Sequence, residues 1–392
     1  MEASSSGEGS AYQPHQQVER SDTRAPAAEP AVIDVVPEGS LSSTSALRTS
    51  AIVVNYNGGD DLARCVRAVL AQDRDAEVIV VDNASEDGSA DSLQRDIPEV
   101  RVVSGHGNAG FAGGANRGAA VACGDILLFL NPDIELAAGC LAAFAARMAR
   151  TSAGVVAPAV RHTSQSDSTE YGATVDLLAD LVGLTRLGNQ PLYVSGCALA
   201  ITRRLFDELG GFDASYFMIC EDLDLCWRAL LTGRDVEVIA SALAFHRGGA
   251  ATKGGYVRGG HLEVTAFRIA LRERNTLTTL LKCAPVGWLG AVVTVRLLRI
   301  GLLITASLLI GRVDLAWALA VGVVWNARRL PVILGERRSI GVTPVKRADV
   351  FYSRVLRNFN ALSLLGRYGL PRFVDGRREL TARRCWPPVL PR

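Results

Sequence analysis

The sequence predicts an α/β fold whose sheet is doubly wound and mostly parallel. Three short apolar runs, at 51–54, 78–81 and 126–130, each end abruptly in polar residues, which is typical of buried strands with exposed carboxyl ends. Segments with helical spacing of apolar residues lie between the runs, and the links are short. Alternating strands and helices of this kind form a parallel sheet with helices on both faces.

The predicted elements of the first half are strand 51–57, helix 61–70, strand 78–81, a helix, strand 100–104, a glycine-rich loop at 105–118 running into a helix, and strand 126–130. Those of the second half are helix 138–150, strand 155–158, a polar tract at 161–190, strand 193–201, helix 203–209, strand 236–240 and a helix from 272 to 282. The polar tract is long for a plain connector, so we expect a functional loop there.

Composition narrows the class of protein. The 392 residues can form one large domain or two moderate ones, and 48% apolar with 21% charged residues indicates a globular chain. A net charge of +2 does not suggest nucleic-acid binding, so we expect no nucleic-acid partner. Eight scattered cysteines without a CxxC pair are typical of buried thiols in a reducing compartment.

The first 48 residues are rich in Ser, Ala, Glu, Gln and Pro. A segment of this composition buries too little apolar surface to offset its ordering entropy, so a disordered tail is predicted for 1–48. The N-terminus also lacks the apolar core of a secretory signal, and the globular part is therefore expected in the cytoplasm.

Polar side chains follow three of the predicted strands: Asn55, Asp82 and Asp133. Because ligands of doubly wound sheets collect at the carboxyl ends of the strands, these residues predict a nucleotide pocket. Each could instead cap the next helix, and Asn131-Pro132-Asp133 could be a plain turn. The three together favour the pocket.

The glycine-rich loop matches neither GxGxxG after a strand nor GxxxxGK[ST], so it supports neither a dinucleotide fold nor a phosphate-binding P-loop. Its glycines would allow close approach of a ligand to the backbone. Asn108 and Asn116 offer amides that could bind a base or a sugar.

Carboxylates cluster at Glu221, Asp222 and Asp224, beside an apolar and aromatic run. One of them could be a general base whose pKa is raised by apolar neighbours, although acidic residues at a helix start are ordinarily caps or dipole partners. Asp224 and Arg228, four residues apart, are expected to form a structural pair. A lone histidine is more often structural than a ligand, but His246 follows a strand and precedes glycines, which strengthens the case for a ligand role.

Taken in order, these motifs resemble the family 2 glycosyltransferases, and within them the bacterial rhamnosyltransferase-like branch, over about residues 50–280. The motifs that carry the resemblance are 53–57, 80–85, 107–116, 130–133 and 221–228. The family implies a GT-A fold, a nucleotide-sugar donor, a divalent metal and inversion at the anomeric carbon. With the C-terminal region, the expected domains are 49–282 and 283–392.

The resemblance also implies residue roles. Asp222 would be the base, with Glu221 beside it, and Asp133 and His246 would bind Mg²⁺ or Mn²⁺. Asn131 stands where the family's metal motif places its first carboxylate, so metal affinity should rest mainly on Asp133 and donor oxygens. The implied donor-binding residues are Asn55, Tyr56, Asp82, Asn83, Asn108, Asn116 and Asn131.

Residues 287–325 are strongly apolar but are interrupted by Arg296, Arg299, Arg312 and Asp314. Apolar helices with nearby arginines and with tryptophans at 288, 317 and 325 favour association with an anionic membrane surface. One tilted span over 301–325, with Arg312 and Asp314 paired, and a buried helical pair are the alternatives.

The resemblance thus implies transfer of a sugar onto a polyprenyl-linked saccharide in cell-envelope polysaccharide synthesis, at the cytoplasmic face of the membrane. The expected donor is dTDP-rhamnose. UDP-galactofuranose or another UDP-hexose would use the same fold, and a nucleotide-sugar-binding scaffold without turnover is a rival. A nucleotidyltransferase would need a basic glycine-rich loop near the first strand, where Asn57-Gly58-Gly59-Asp60 is acidic.

Overall fold

A computed structural model describes residues 47–73, 76–105, 107–150, 154–163, 169–186, 188, 190–248, 256–258, 261–341, 348–356, 360, 366 and 372–373. The predicted disordered tail, apart from its last two residues, lies outside the described residues, as do Lys346, Arg347 and Cys385. The described residues belong to one compact unit, Ala46–Arg392. The predicted boundary at 282/283 falls inside the last turn of a helix of that unit, Ala266–Cys283.

The first half follows the predicted order of strands and helices. Its elements are β1 (Thr49–Asn55), α1 (Gly59–Leu70), β2 (Glu77–Asp82), α2 (Ser89–Asp96), β3 (Arg101–Val103), α3 (Gly110–Val121), β4 (Ile126–Leu130), β5 (Ile134–Leu136) and α4 (Cys140–Met148). The polar tract after α4 contains three short strands rather than only an irregular loop. The next elements are β6 (Val155–His162), β7 (Thr169–Glu170), β8 (Ala173–Val175), β9 (Leu181–Gly183), β10 (Ala198–Thr202) and α5 (Arg203–Glu208).

The remaining elements carry the carboxylate cluster and the apolar C-terminal region. They are a 3-10 helix (Ala214–Tyr216), α6 (Glu221–Leu231), β11 (Val236–His246), β12 (Tyr256–Arg258), β13 (His261–Val264), α7 (Ala266–Cys283), α8 (Val286–Leu309), α9 (Val313–Ile340), α10 (Ala348–Arg354) and β14 (Arg372–Phe373). Of these, β11 is longer than predicted and reaches His246, because its second half pairs with β5.

The predicted α/β class is confirmed, and the main sheet is mixed. Its nine strands have the order β3-β2-β1-β4-β10-β6-β11-β5, with β7 paired to β6. The half from β3 to β4 is parallel, whereas β10 runs antiparallel to both β4 and β6. Since Ala198 at the start of β10 lies opposite Leu130 at the end of β4, residues 195–197 reach the same sheet edge as Asn131.

Both faces of the sheet are covered, which explains the unbroken apolar run of β4. Its five residues are fully buried. Alternate residues point to opposite faces, so Leu127 and Phe129 belong to one core and Ile126, Leu128 and Leu130 to the other. Helices α3 and α6 contribute to the first core, and α1 and α4 to the second.

The C-terminal apolar stretch forms two helices, so the alternative of one tilted span over 301–325 is wrong. The chain turns between α8 and α9, where Gly311 has φ +72°. Gly adopts this left-handed conformation without the steric cost of other residues. Arg312 and Asp314 form the expected ion pair, at 2.9 Å between Nη2 and Oδ2, beside this turn.

Helices α8 and α9 expose most of their apolar surface, and we call the pair the apolar hairpin (residues 286–340). Each is long and apolar enough to cross a membrane, a test that a core helix also passes. Only 22% and 33% of their most apolar windows are buried, which is unlike core helices. The most exposed side chains, near the turn, are Leu298, Leu302, Leu309, Ile310 and Val313.

The arginines that interrupt the apolar run face the domain. Arg296 is 1% exposed, and its guanidinium lies 2.9 Å from both Asp180 and Glu273. Burial alone would raise the pKa of Asp180, but the charges of Arg296 and Arg299 hold it below its usual value. These charges therefore dock α8 onto the domain, and the opposite face of the helix stays free.

Two of the three tryptophans expected at a membrane interface face inward instead. Trp325 is buried beneath the guanidinium of Arg274, and Trp288 packs near Trp227, with ring centroids 6.3 Å apart. Trp317 is 56% exposed and retains the expected position. Arg337 also points inward, because it donates to the carbonyl oxygen of Ala284.

Candidate active site

Asn55, at the end of β1, connects several residues of the candidate site by hydrogen bonds. It is fully buried, and its Nδ2 lies 3.0 Å from Oδ1 of Asp82 and 3.0 Å from Oγ of Ser89. Its Oδ1 accepts from the backbone N–H of Gly58 at 3.2 Å. Asp82 accepts in addition from the Ser85 hydroxyl at 2.6 Å. The structure therefore brings the predicted pair together, and a contact between Asn55 and the donor stays a prediction.

Asn83 and Asn108 both contact Gly110 at the start of α3. Nδ2 of Asn83 donates to the Gly110 carbonyl at 2.8 Å, and Oδ1 of Asn108 accepts from the Gly110 N–H at 2.8 Å. The Oδ1 atom of Asn83 is buried and has no hydrogen-bond partner within the described part of the chain. A donor-binding role for Asn83, Asn108 and the half-buried Tyr56 stays a prediction.

Asn116 uses both ends of its amide to hold another segment. It donates to the Phe212 carbonyl at 2.7 Å and accepts from the Phe212 N–H at 3.0 Å. These bonds join α3 to the chain that leads toward α6. A contact between Asn116 and the donor stays a prediction, and the observed bonds are structural.

Two glycines of α3 allow other segments of the protein to pack closely against this helix. Gly110 has φ +70°, and a Cβ placed on it would lie 2.1 Å from the Phe217 carbonyl oxygen. A Cβ on Gly114 would lie 2.7 Å from Val54 and 3.0 Å from Asn83. Close approach of a ligand was expected at these glycines, whereas Gly110 and Gly114 pack against the protein's own Phe217, Val54 and Asn83.

Asp133 and His246 come together although they are 113 positions apart. Pairing of β5 with β11 places His246 opposite Ile134, and Oδ2 of Asp133 lies 3.3 Å from Nε2 of His246. Their side chains are 9% and 12% exposed, and Nδ1 of His246 is buried without a partner among the described residues. A carboxylate and an imidazole this close can ligate one cation. The described residues contain no cluster of three or more such ligands.

Two side chains beside this pair were not predicted. The rings of His162 and His246 lie 5.2 Å apart between centroids, and Nε2 of His162 lies 3.6 Å from Oε2 of Glu170. The register of β6 against β11 places His162 opposite His246. That register depends on a bulge between Ile239 and Leu243, which no local sequence pattern predicts.

Asp222 lies in the first turn of α6 and is partly exposed. Its Oδ2 accepts from the backbone N–H of Gly196 at 2.8 Å, and its Oδ1 from the N–H of Leu223 at 2.7 Å. Burial raises the pKa of Asp222 above its usual value, and these N–H donors oppose that shift. A carboxylate with a raised pKa is a stronger base, as the sequence predicted for this cluster.

Glu221 is 6% exposed, and its Oε2 has no partner among the described residues. Burial, followed by the negative charge of Asp222, raises the pKa of Glu221 well above its usual range. Like charges on adjacent buried carboxyls favour one proton between them. Glu221 is therefore the member of the pair that holds a proton more readily.

The third carboxylate of the cluster, Asp224, is structural. It is fully buried and forms the expected pair with Arg228, at 2.6 Å between Oδ2 and Nη2. Lys282 of α7 lies 3.0 Å from Asp224 and 2.9 Å from Asp213. Because its oxygens are engaged by these cations, Asp224 ties α6 to α7.

The candidate base and the candidate metal pair are joined through two consecutive residues. The N–H of Gly196 donates to Asp222, and the carbonyl oxygen of Cys197 accepts from the N–H of Asn131 at 2.9 Å. Asn131 begins the turn that carries Asp133. Gly196 and Cys197 were not predicted as site residues, since their position depends on β10 running antiparallel to β4.

Comparison with known proteins shows similarity to glycosyltransferases. Residues 50–210 match the family model described as glycosyl transferase family 2. An N-acetylglucosaminyl-diphospho-decaprenol L-rhamnosyltransferase of Mycobacterium tuberculosis is 25% identical over 231 residues, which are 50% of this chain and 74% of the relative. The rhamnosyltransferase WbbL of Escherichia coli is 25% identical over 219 residues, covering 50% of this chain and 81% of the relative.

Among solved structures, GalNAc-T7 with UDP, GalNAc and Mn²⁺ is similar to this chain with a TM-score of 0.49 and 17% sequence identity. The similarity covers 61% of this chain and 48% of that one, so this chain spans about half the length of GalNAc-T7.

Proposed function

We propose that this chain, a glycosyltransferase whose residues 50–210 match family 2, transfers a sugar from a nucleotide donor to a hydroxyl of a lipid-linked saccharide, with inversion at the anomeric carbon. The observation that carries the proposal is the link through residues 196 and 197. It places a carboxylate of raised pKa, Asp222, beside the turn that carries Asp133.

Asp133 and His246 would hold a divalent cation, Mg²⁺ or Mn²⁺. The fit rests on their 3.3 Å separation and on the buried, unpartnered Nδ1 of His246. Such a cation supplies Lewis-acid stabilisation of the negative charge that grows on the leaving diphosphate. Asn131 contributes a neutral amide at this turn, so the protein provides few ligands and the donor's oxygens would complete the set.

Asp222 would take the proton of the acceptor hydroxyl as that oxygen attacks the anomeric carbon. A hydroxyl is a poor nucleophile near neutral pH, so removal of its proton during attack lowers the barrier. The Gly196 N–H holds one oxygen of Asp222 in place. Attack from the face opposite the diphosphate inverts the anomeric centre, and the nucleoside diphosphate leaves.

We propose dTDP-rhamnose as the donor and a polyprenyl-diphosphate saccharide as the acceptor, in cell-envelope polysaccharide synthesis. The support is the similarity to two relatives named as rhamnosyltransferases, one of them also named for a diphospho-decaprenol substrate. The exposed apolar hairpin supports a lipid-linked acceptor, because such a surface is typical of proteins that associate with membranes.

Membrane association would bring the site close to a lipid surface, and we propose the cytoplasmic face of the cell membrane. Leu309 and Ile310, at the turn of the hairpin, would enter the lipid. Arg328 and Arg338 are exposed farther along α9 and would contact anionic headgroups. The domains at 49–282 and 283–392 correspond in this proposal to transfer and to membrane contact.

The proposal is tested by nucleotide release from dTDP-, UDP- and GDP-sugars, with detergent-solubilised full-length protein and Mn²⁺ or Mg²⁺. We expect metal-dependent release from dTDP-rhamnose that increases with a polyprenyl-diphosphate saccharide. Release from UDP-galactofuranose or another UDP-hexose alone would contradict the proposed donor. Nucleotide binding without release, even with the lipid acceptor, would contradict catalysis and favour a binding scaffold.

A further inference from the structure

Residues 217–220, directly before the candidate base, have an unusual backbone. Phe217, Ile219 and Cys220 have φ angles of +66°, +70° and +68°, which are rare for residues with a Cβ and strained for bulky ones. A segment in this conformation persists only when its surroundings hold it. Because α6 begins at Glu221, these angles determine where the Asp222 carboxylate lies.

We propose that Asn275 and Arg274, on α7, are positioning residues that hold residues 215–220 and thereby set the Asp222 carboxylate. The inference rests on the proposed role of Asp222 as the base. Neither α7 residue touches Asp222, so each would act through the backbone of the segment before it.

The side chain of Asn275 contacts three backbone carbonyl groups of this segment. It is fully buried, and its Nδ2 lies 3.0 Å from the carbonyl oxygens of Tyr216 and Met218 and 2.6 Å from that of Ile219. Carbonyl groups of an irregular buried segment need partners outside it. The two N–H bonds of this amide are therefore shared among three carbonyl oxygens that converge on it in the observed conformation.

Arg274 contacts the same segment and, in addition, the carbonyl group of Ser215. Its side chain is 1% exposed, its Nη2 lies 3.1 Å from the Ser215 carbonyl and 2.9 Å from the Tyr216 carbonyl, and its Nε donates to Oδ1 of Asn275 at 2.8 Å. Burial lowers its pKa to about 10, so it keeps its charge at neutral pH. The guanidinium fork thus fixes the orientation of the Asn275 amide as well as the segment.

The apolar hairpin supports Arg274 from the other side. The Trp325 ring of α9 lies under the guanidinium, 4.7 Å from its centre, and Nδ2 of Asn326 donates to the Arg274 carbonyl at 3.0 Å. A Cβ on Gly322 would lie 3.3 Å from Cβ of Arg274, so α9 packs closely at this turn. A shift of α9 would therefore move Arg274 and, through Arg274, the segment that precedes Asp222.

The ordinary alternative is that these contacts only stabilise the fold. Thr278 allows the two to be separated, because its hydroxyl contacts Asn326 at 2.8 Å and the Arg274 carbonyl at 2.9 Å but does not contact residues 215–220. A Thr278→Val variant loses buried hydrogen bonds in the same helix pair and is the matched control.

The test compares Asn275→Ala, Arg274→Lys and Thr278→Val by steady-state kinetics, by hydrogen exchange of residues 212–224 and by melting temperature. For the first two variants we expect kcat to fall by about a hundredfold, since displacement of a catalytic group by about 1 Å has that effect, with the donor KM within about twofold. Exchange in the segment should become faster. Thr278→Val should lose melting temperature without either change.

Wild-type kcat and wild-type exchange in Asn275→Ala would overturn the inference, as would equal changes in Thr278→Val. If Asn275→Ala does not fold, Arg274→Lys decides by the same criteria, since it keeps the charge and loses only the fork. If the wild-type protein shows no transfer, the proposed function is wrong. Hydrogen exchange of residues 212–224 in the variants then still tests whether α7 holds this segment.

Discussion

The backbone N–H of Gly196 donates a 2.8 Å hydrogen bond to Oδ2 of Asp222, which connects the loop before β10 to the first turn of α6. Such a donor stabilises the charged carboxylate and lowers its pKa, whereas burial acts in the opposite direction. The protonation of the candidate base is therefore balanced between these two effects.

Removing this donor should shift the pH dependence of transfer. In Gly196→Pro the N–H is absent, so the pKa of Asp222 should rise further and the acidic limb of the kcat/KM profile should move to higher pH. Gly196→Ala is the control, because it keeps the N–H. Its Cβ would lie 3.3 Å from the Phe111 ring, so only a small shift of that ring is needed. Identical acidic limbs in the two variants would show that the bond does not tune the base.

Glu221→Gln should make the protein more stable at neutral and alkaline pH. The folded-state pKa of Glu221 is raised by burial and by Asp222, so its folding contribution is full below the unfolded pKa of about 4.3 and is lost as pH rises through the folded pKa. The neutral amide avoids that loss. We expect the melting temperature of the variant to exceed that of wild type by about 2 °C or more at pH 8, with the gap shrinking toward pH 4. A gap that grows toward acid would contradict the raised pKa.

His246→Ala should weaken metal binding without unfolding the protein. One of the two proposed protein ligands is lost, so the Mn²⁺ concentration for half-maximal nucleotide release should rise by at least about tenfold. Asp133→Asn should have a larger effect, because it removes the only charged ligand of the pair. Titration of release against Mn²⁺ measures both. An unchanged half-maximal concentration in both variants would place the metal elsewhere.

Leu309→Glu should reduce binding to anionic vesicles. Leu309 is 83% exposed at the turn of the apolar hairpin, and burying a leucine in lipid contributes about 1.5–3 kcal/mol, so about a tenfold or greater loss of affinity is expected. Leu177→Glu is the matched control, since Leu177 is 41% exposed and lies outside the hairpin. Equal losses in a vesicle co-sedimentation assay would indicate a general charge effect instead of hairpin insertion.

Local patterns predicted most strands and helices of the first half and the residues of the candidate site, whose roles stay predictions. The apolar run of β4 followed by Asn131-Pro132-Asp133 identified a buried strand with an exposed carboxyl end, and the carboxylates beside an apolar run identified the start of α6. Both signals lie within a few neighbouring residues, and the tertiary structure preserves them because the same residues form the core.

Features set by pairing between distant strands and helices were not predicted. Gly196 reaches Asp222 because β10 is antiparallel, and His162 reaches His246 through the register of β6 and β11. Asn275 lies on a helix predicted at the C-terminal end of the domain. Its partners are backbone carbonyl groups, and because every residue has one, no sequence pattern identifies them. The turn at Gly311 was not located, because the charged residues at 312 and 314 were compatible with either one tilted span or a pair of helices.

The most direct test of the account compares single-turnover transfer from the donor by wild type and Asp222→Asn, with the lipid acceptor and metal present. Asn keeps the shape of the side chain but does not accept a proton, so the rate should fall by about 10²–10⁴-fold while donor affinity stays within about twofold. Asp207→Asn, at an exposed carboxylate of α5, should keep the wild-type rate. A near wild-type rate in Asp222→Asn would show that another group is the base.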